Sequence, residues 1–147
     1  MEPDDAWARV ISPDGINHEL SPWLRMTLPR EMRGRTIADV SSGEKLGRSW
    51  ILLLGFLPVD YDDIFIEELG PGSRFLERST MFSMKVWQHE RAVAPETHGC
   101  VLTDRLFFEL RAPLARVPGE RRIATAIVSA IFKHRHRRLR AYFGDTP

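Results

Sequence analysis

From Glu120 to Phe143 the apolar residues recur at three- and four-residue steps, with Ala124, Ile127, Val128, Ile131, Leu139 and Tyr142 on one side and Arg135 among them. This is the period of an α-helix with one apolar face. It predicts one long closing helix, entered from the loop Ala112–Gly119 and stopped at Gly144 with Pro147 beyond. Lys133, Arg135, Arg137, Arg138 and Arg140 sit in its last turns, the end that favours positive charge.

Upstream the period is that of strands. Trp23–Leu28 alternates, Arg48–Val59 is apolar on both faces, and Tyr61–Leu69 alternates around Ile64 and Ile66. Gly70-Pro71-Gly72 turns the chain into Arg74–Met81, and Met84–Val93 and Cys100–Leu110 follow, separated by the turn-rich Ala94–Gly99. Six strands are expected, most of them in an antiparallel meander. Arg30–Gly47 is polar and reads as a long, mobile loop around a weak apolar core at Ile37–Val40. Before all of this lies a helical pair. Pro3-Asp4-Asp5 suits a helix start, Ser12-Pro13-Asp14-Gly15 reads as a break, and Ile16–Leu20 forms a second short helix.

Helical pair, meander and long final helix form the chain order of the helix-grip fold, an α+β architecture in which a curved antiparallel sheet wraps the last helix. The local strings Trp7-Ala-Arg-Val10, Gly15-Ile-Asn-His-Glu-Leu20, Leu46-Gly-Arg-Ser-Trp50, Phe75-Leu-Glu-Arg-Ser79, Trp87-Gln-His-Glu-Arg91, Leu102-Thr-Asp-Arg105 and Phe132-Lys-His-Arg-His-Arg-Arg-Leu139 resemble the ligand-binding SRPBCC superfamily. That superfamily includes START lipid-transfer domains, Bet v 1 allergens and polyketide cyclases. The resemblance spans nearly the whole chain and implies one SRPBCC-like domain over residues 1–147, with a cavity between sheet and helix. It carries no catalytic motif. Members ordinarily begin with a strand ahead of the first helix, giving seven strands, whereas here Met1 lies two residues before the helix start. Either the true start lies upstream, the favoured expectation, or the sheet has six strands and unpaired edges.

The cavity residues expected from this reading are Trp50, Leu52 and Leu54 for one wall, Ile127 and Ile131 for the helical lid, and Trp87, His89 and Arg91 as a row on one strand face. Arg91 is expected to favour anionic amphiphiles. Glu77, His89, Glu90 and Asp104 are the acid–base candidates, since adjacent strands can bring them together. Metal binding is not expected: His134 and His136 are two apart on a helix and point away from one another, and His98, Cys100 and His89 are explained as well by a turn and a buried thiol. Cys100 reads as a half-buried strand residue in preference to a nucleophile.

Function classes narrow further. With no Gly-rich phosphate loop, nucleotide cofactors are not expected. The single cysteine argues against a disulfide framework, and no apolar run reaches membrane-spanning length, so a cytoplasmic protein is the default. Charge is polarised: from Arg111 onward there are nine bases and two acids, and before it twelve and eighteen. The strands lack aromatics interleaved with bases, so the basic end reads as a solvated helix face and nucleic acid is not an expected partner. The primary expectation is a binder of one small apolar or amphipathic molecule. A cyclase- or dehydratase-type enzyme and a co-chaperone-like interaction module are the alternatives.

Overall fold

A computed structural model describes residues 1–144. Helix α1 (Pro3–Val10) and α2 (Pro13–Leu20) are separated by only Ile11 and Ser12. The Ser12–Gly15 break expected from sequence is therefore shorter than its turn-forming residues suggest. Ser12 is the N-cap of α2, its hydroxyl accepting from Gly15 N at 2.9 Å, while Pro13 and Asp14 occupy the first turn. The same residues serve a turn or a helix start, and the capping bond decides for the helix.

Six strands follow in a meander: β1 (Leu24–Met26), β2 (Glu44–Leu53), β3 (Leu57–Leu69), β4 (Arg74–Met81), β5 (Met84–Glu96) and β6 (Gly99–Leu110), each antiparallel to the next. They form a curled sheet against which α3 (Glu120–Phe143) lies, an α+β helix-grip layout. Pro147, the expected stop, lies outside the described residues.

Three sequence expectations are corrected. Arg48–Val59 is not one strand but the facing ends of β2 and β3, joined through Leu54-Gly55-Phe56, where Leu54 (φ 54°) and Gly55 (φ 84°) take left-handed backbone. A lone glycine in an apolar run carries that turn. Trp23–Leu28 contributes only a three-residue strand, extended by Thr27, whose hydroxyl accepts from Trp50 N while its carbonyl accepts from Ser49 Oγ. And Arg30–Gly47 is no free loop. Met32, Val40 and Leu46 are buried in the main core, and Arg35 grips both oxygens of Glu44 at 2.9 and 3.1 Å while reaching the carbonyls of Glu31 and Asp39.

Helix α3 is held unevenly along its length. Its C-terminal half packs on α2: Arg135 Nε donates to Glu19, Arg138 Nε donates to His18 O at 3.2 Å, and His134 Nε2 is 2.8 Å from Ser21 O. Leu139 is buried with Val10, Ile66 and Phe75. The N-terminal half carries the same apolar stripe, yet Ile127 stays 56% exposed where Leu139 is 7% exposed. At the N-terminal end only Val128 of the stripe is buried, in a smaller core with Met81 and Met84, while Ile127 faces open space. Accordingly Leu139→Ala is expected to cost about 2–5 kcal/mol and Ile127→Ala about 0.5 kcal/mol or less, as read by denaturant unfolding. Equal losses at the two positions would mean α3 is packed uniformly.

Candidate functional site

Where α3 stands off the sheet there is a cavity of about 710 Å³. Strand parity decides its walls. From β2 come Leu46, Ser49, Ile51 and Leu53, from β3 Asp60, Asp62, Ile64 and Ile66, from β4 Phe75, Glu77 and Met81, from β5 Met84, Trp87, His89 and Arg91, and from α3 Ile127, Val128, Ile131, Phe132 and Arg135. The lining residues that remain exposed, Trp23, Leu28, Leu53, Val59 and Ile127, mark its mouth.

Of the residues expected from sequence, Trp87, His89, Arg91, Ile127 and Ile131 line this cavity, and Trp50, Leu52 and Leu54 do not. A bulge between Lys45 and Gly47 shifts the parity of β2: Leu46 and Ser49 both face inward, three residues apart, so Ile51 and Leu53 take the wall positions. Trp50 stands instead on the convex face, edge-on to Tyr61 at 5.6 Å, with the Arg48 guanidinium 3.7 Å over the Tyr61 ring. Leu54 is in the hairpin turn. A glycine makes the bulge possible: Gly47 has φ 96°, and a Cβ there would come within 2.4 Å of Glu31 Oε2.

The row Trp87-x-His89-x-Arg91 does face inward, but its cation is already taken. Arg91 is 0% exposed. Its guanidinium bridges Glu19 of α2, at 2.9 and 3.0 Å, and Asp104 of β6, at 2.7 and 2.9 Å. Arg135 of α3 donates to Glu19 at 3.0 Å, and His89 and His136 each place Nε2 at 2.7 Å from one oxygen of Asp104. Two carboxylates and two guanidiniums balance in one buried cluster. Burial alone would raise both acids, yet Arg135 and Arg91 draw Glu19 below its ordinary range, and the bonds from His136, His89 and Arg91 draw Asp104 far below it. Burial lowers His89, which is therefore neutral and donates to Asp104. Its ring is edge-on to Phe75 and Phe132 at 5.4 and 5.1 Å.

The acid–base candidates divide between the faces. Glu77 pairs in register with His89 and faces the cavity, Asp104 is spent on the cluster, and Glu90 is on the outer face with Arg74 at 2.7 Å. Cys100 pairs with Pro95 and packs at the edge of the core, whereas His89 pairs with Leu106. Six residues of strand, about 20 Å, separate Cys100 from the His89 position. His134 and His136 go to Ser21 and Asp104 respectively. Among the described residues no group of three or more His, Cys, Asp or Glu is placed to hold a metal, and no helix is long and apolar enough to cross a membrane.

Two buried acids escaped the sequence reading, Glu19 in the cluster and Asp62 on the cavity wall. Glu19 falls on the same buried side of α2 as Ile16 and Leu20, and Asp62 shares strand parity with Ile64 and Ile66. In both cases an acid sits within an apolar stripe, which is the available signal. Asp62 is 3% exposed, and burial first, then the facing Glu77, push its carboxyl well above the ordinary 3.8.

Stability should follow from these shifts with opposite signs. Glu19 and Asp104 stabilise the fold above their unfolded range near 4 and lose that contribution as pH falls below it toward their lowered folded-state values, and His89, lowered from 6.5, penalises the fold as pH drops below that value. Asp62 works the other way, its contribution being lost as pH rises through its elevated value. Asp62→Asn is therefore expected to leave stability unchanged near pH 3.5 and to raise it increasingly toward pH 8, measured by urea midpoints across pH. Glu19→Gln takes from Arg135 its one carboxylate and from Arg91 one of two, and is expected to cost about 3–5 kcal/mol, by the same measurement at pH 7.

No curated protein matches the sequence. The X-ray crystal structure of protein CV1439 from Chromobacterium violaceum is similar, with a TM-score of 0.64 over 95% of this chain and 88% of that one at 15% identity. At that identity the likeness concerns the fold. In sequence, residues 1–143 match the family described as Domain of unknown function (DUF8410), and the chain belongs to that family.

Proposed function

We propose that this protein binds one small apolar or amphipathic molecule in the cavity between the sheet and α3, in the manner of the SRPBCC superfamily its sequence resembles. The observation that carries the reading is the cavity itself: about 710 Å³, walled by Ile51, Ile64, Ile66, Trp87, Ile131 and Phe132, with a few polar groups set into the walls. That volume lies in the range of small-molecule sites, and an apolar wall with sparse polar groups is their usual composition. The anchoring of α3 at its C-terminal half supports the reading as well. The cluster and the Leu139 core fix the position of that half, so Ile127 and Ile131 of the other half are left to border a ligand.

An enzyme on the same scaffold is the second reading. Its support is the pair of buried acids on the cavity wall, Asp62 with its carboxyl raised by burial and by Glu77, which is the kind of surrounding that sets a general acid apart from a surface carboxylate.

The neutral fluorophore N-phenyl-1-naphthylamine is expected to bind the folded chain saturably at about one per chain. Ile131→Trp, which fills the cavity, should abolish that binding while leaving the unfolding midpoint near the parent value. Absence of saturable fluorescence, or binding indifferent to Ile131→Trp, would overturn the reading.

A further inference from the structure

The cavity has a second polar corner, independent of the Arg91 cluster. Asp62 of β3 faces the cavity, is 3% exposed, and its Oδ1 is sealed from solvent without a hydrogen-bond partner. Glu77 of β4 is buried on the same wall, and its Oε1 accepts from Ser79 Oγ at 2.9 Å. Among the described residues neither carboxyl has a basic partner. The two cations on the cavity wall are committed elsewhere, Arg91 to Glu19 and Asp104, and Arg135 to Glu19. Asp60, a third acid on the wall, is held by Ser83 Oγ and by the amide of Tyr61 at 2.8 Å. His89, opposite Glu77, is turned to Asp104.

A buried acceptor with no donor is costly in an apolar surround, and two facing acids there resist carrying two charges. Both costs are relieved by one kind of visitor, a cation with N–H donors. Resting on the cavity-binding reading above, we propose that Asp62 and Glu77 form the head-group subsite of the cavity, and that it takes the ammonium of an amphipathic amine. The apolar remainder lies along Ile51, Ile64 and Ile131 toward the mouth. An alkyl ammonium resembles the lysine head, whose pKa is about 10.4; the proton stays on nitrogen, any proton the acid pair shares is released to solvent as the amine enters, and the carboxylates accept charge-assisted bonds. An alcohol offers one uncharged donor. A carboxylate ligand brings another negative charge beside Asp60, Asp62 and Glu77, with Arg91 already neutralised. The preference is the reverse of the one Arg91 suggested from sequence.

Decylamine, decanol and decanoate, matched in their tails and kept below their micellar concentrations, would be titrated calorimetrically into the full chain at pH 7. Decylamine is expected to bind about tenfold tighter than decanol, and decanoate weakest. Asp62→Asn and, separately, Glu77→Gln, which keeps an acceptor for Ser79, should each bring decylamine down toward decanol and leave decanol unchanged. Should one variant fail to fold, the other decides. If decylamine binds no tighter than decanol, or its advantage survives the substitutions, the subsite falls while the cavity stands. If none of the three binds, both fall.

Discussion

Arg91 ties the molecule together. Its guanidinium, fully enclosed, reaches Glu19 on α2 and Asp104 on β6 from its own position on β5, and through Glu19 and Asp104 it reaches Arg135 and His136 on α3. The distant α2 is thereby fixed at one point with β5, β6 and α3. Burying these charges carries a large desolvation cost, and the cluster is tolerable only because its charges balance and Arg91 places Nε and both terminal nitrogens on carboxylate oxygens. Such an arrangement stabilises weakly on balance but is unforgiving of change, because loss of any one carboxylate leaves a buried cation exposed to its like-charged neighbour.

The cavity is a consequence of where that cluster lies. It clamps α3 at Arg135 and His136, near the C-terminal half of the helix, where Leu139 completes the main core with Val10, Ile66 and Phe75. Toward its N-terminus the helix has no such polar clamp; Val128 is buried with Met81 and Met84, and Ile127 and Ile131 border the cavity. Sheet curvature supplies the remainder. The bulge at Gly47 and the register shift near Ile51 and Leu52 bend β2 against β3, turning Ile51, Leu53 and Asp62 toward the helix.

Polar groups in the cavity wall have two distinct roles. The basic corner is closed on itself and contributes to the fold, while the acidic corner at Asp62 and Glu77 has hydrogen-bonding capacity unspent. Residue type alone would assign these roles the other way round, since Arg91 always carries its charge and offers five N–H donors. Satisfaction of partners, and not charge, distinguishes a structural group from one available to a ligand.

Much of the architecture was readable from the sequence because it depends on local period. The 3.6-residue stripe of Glu120–Phe143, the alternation around Ile64 and Ile66, and the Gly70-Pro71-Gly72 turn each report backbone geometry within a few residues, and the helix-grip order follows from them. That Trp87, His89 and Arg91 share one strand face came from the same two-residue period, while which way that face points was left to the fold. Beyond that reach lay everything set by contact between distant segments. The bulge that turned Trp50 outward depends on Gly47 packing against Glu31, the ordering of Arg30–Gly47 on Arg35 meeting Glu44, and the commitment of Arg91 on Glu19, seventy-two positions away. A side chain's partner is decided by tertiary proximity, and a charge reads from sequence as available until the fold brings its counter-charge beside it.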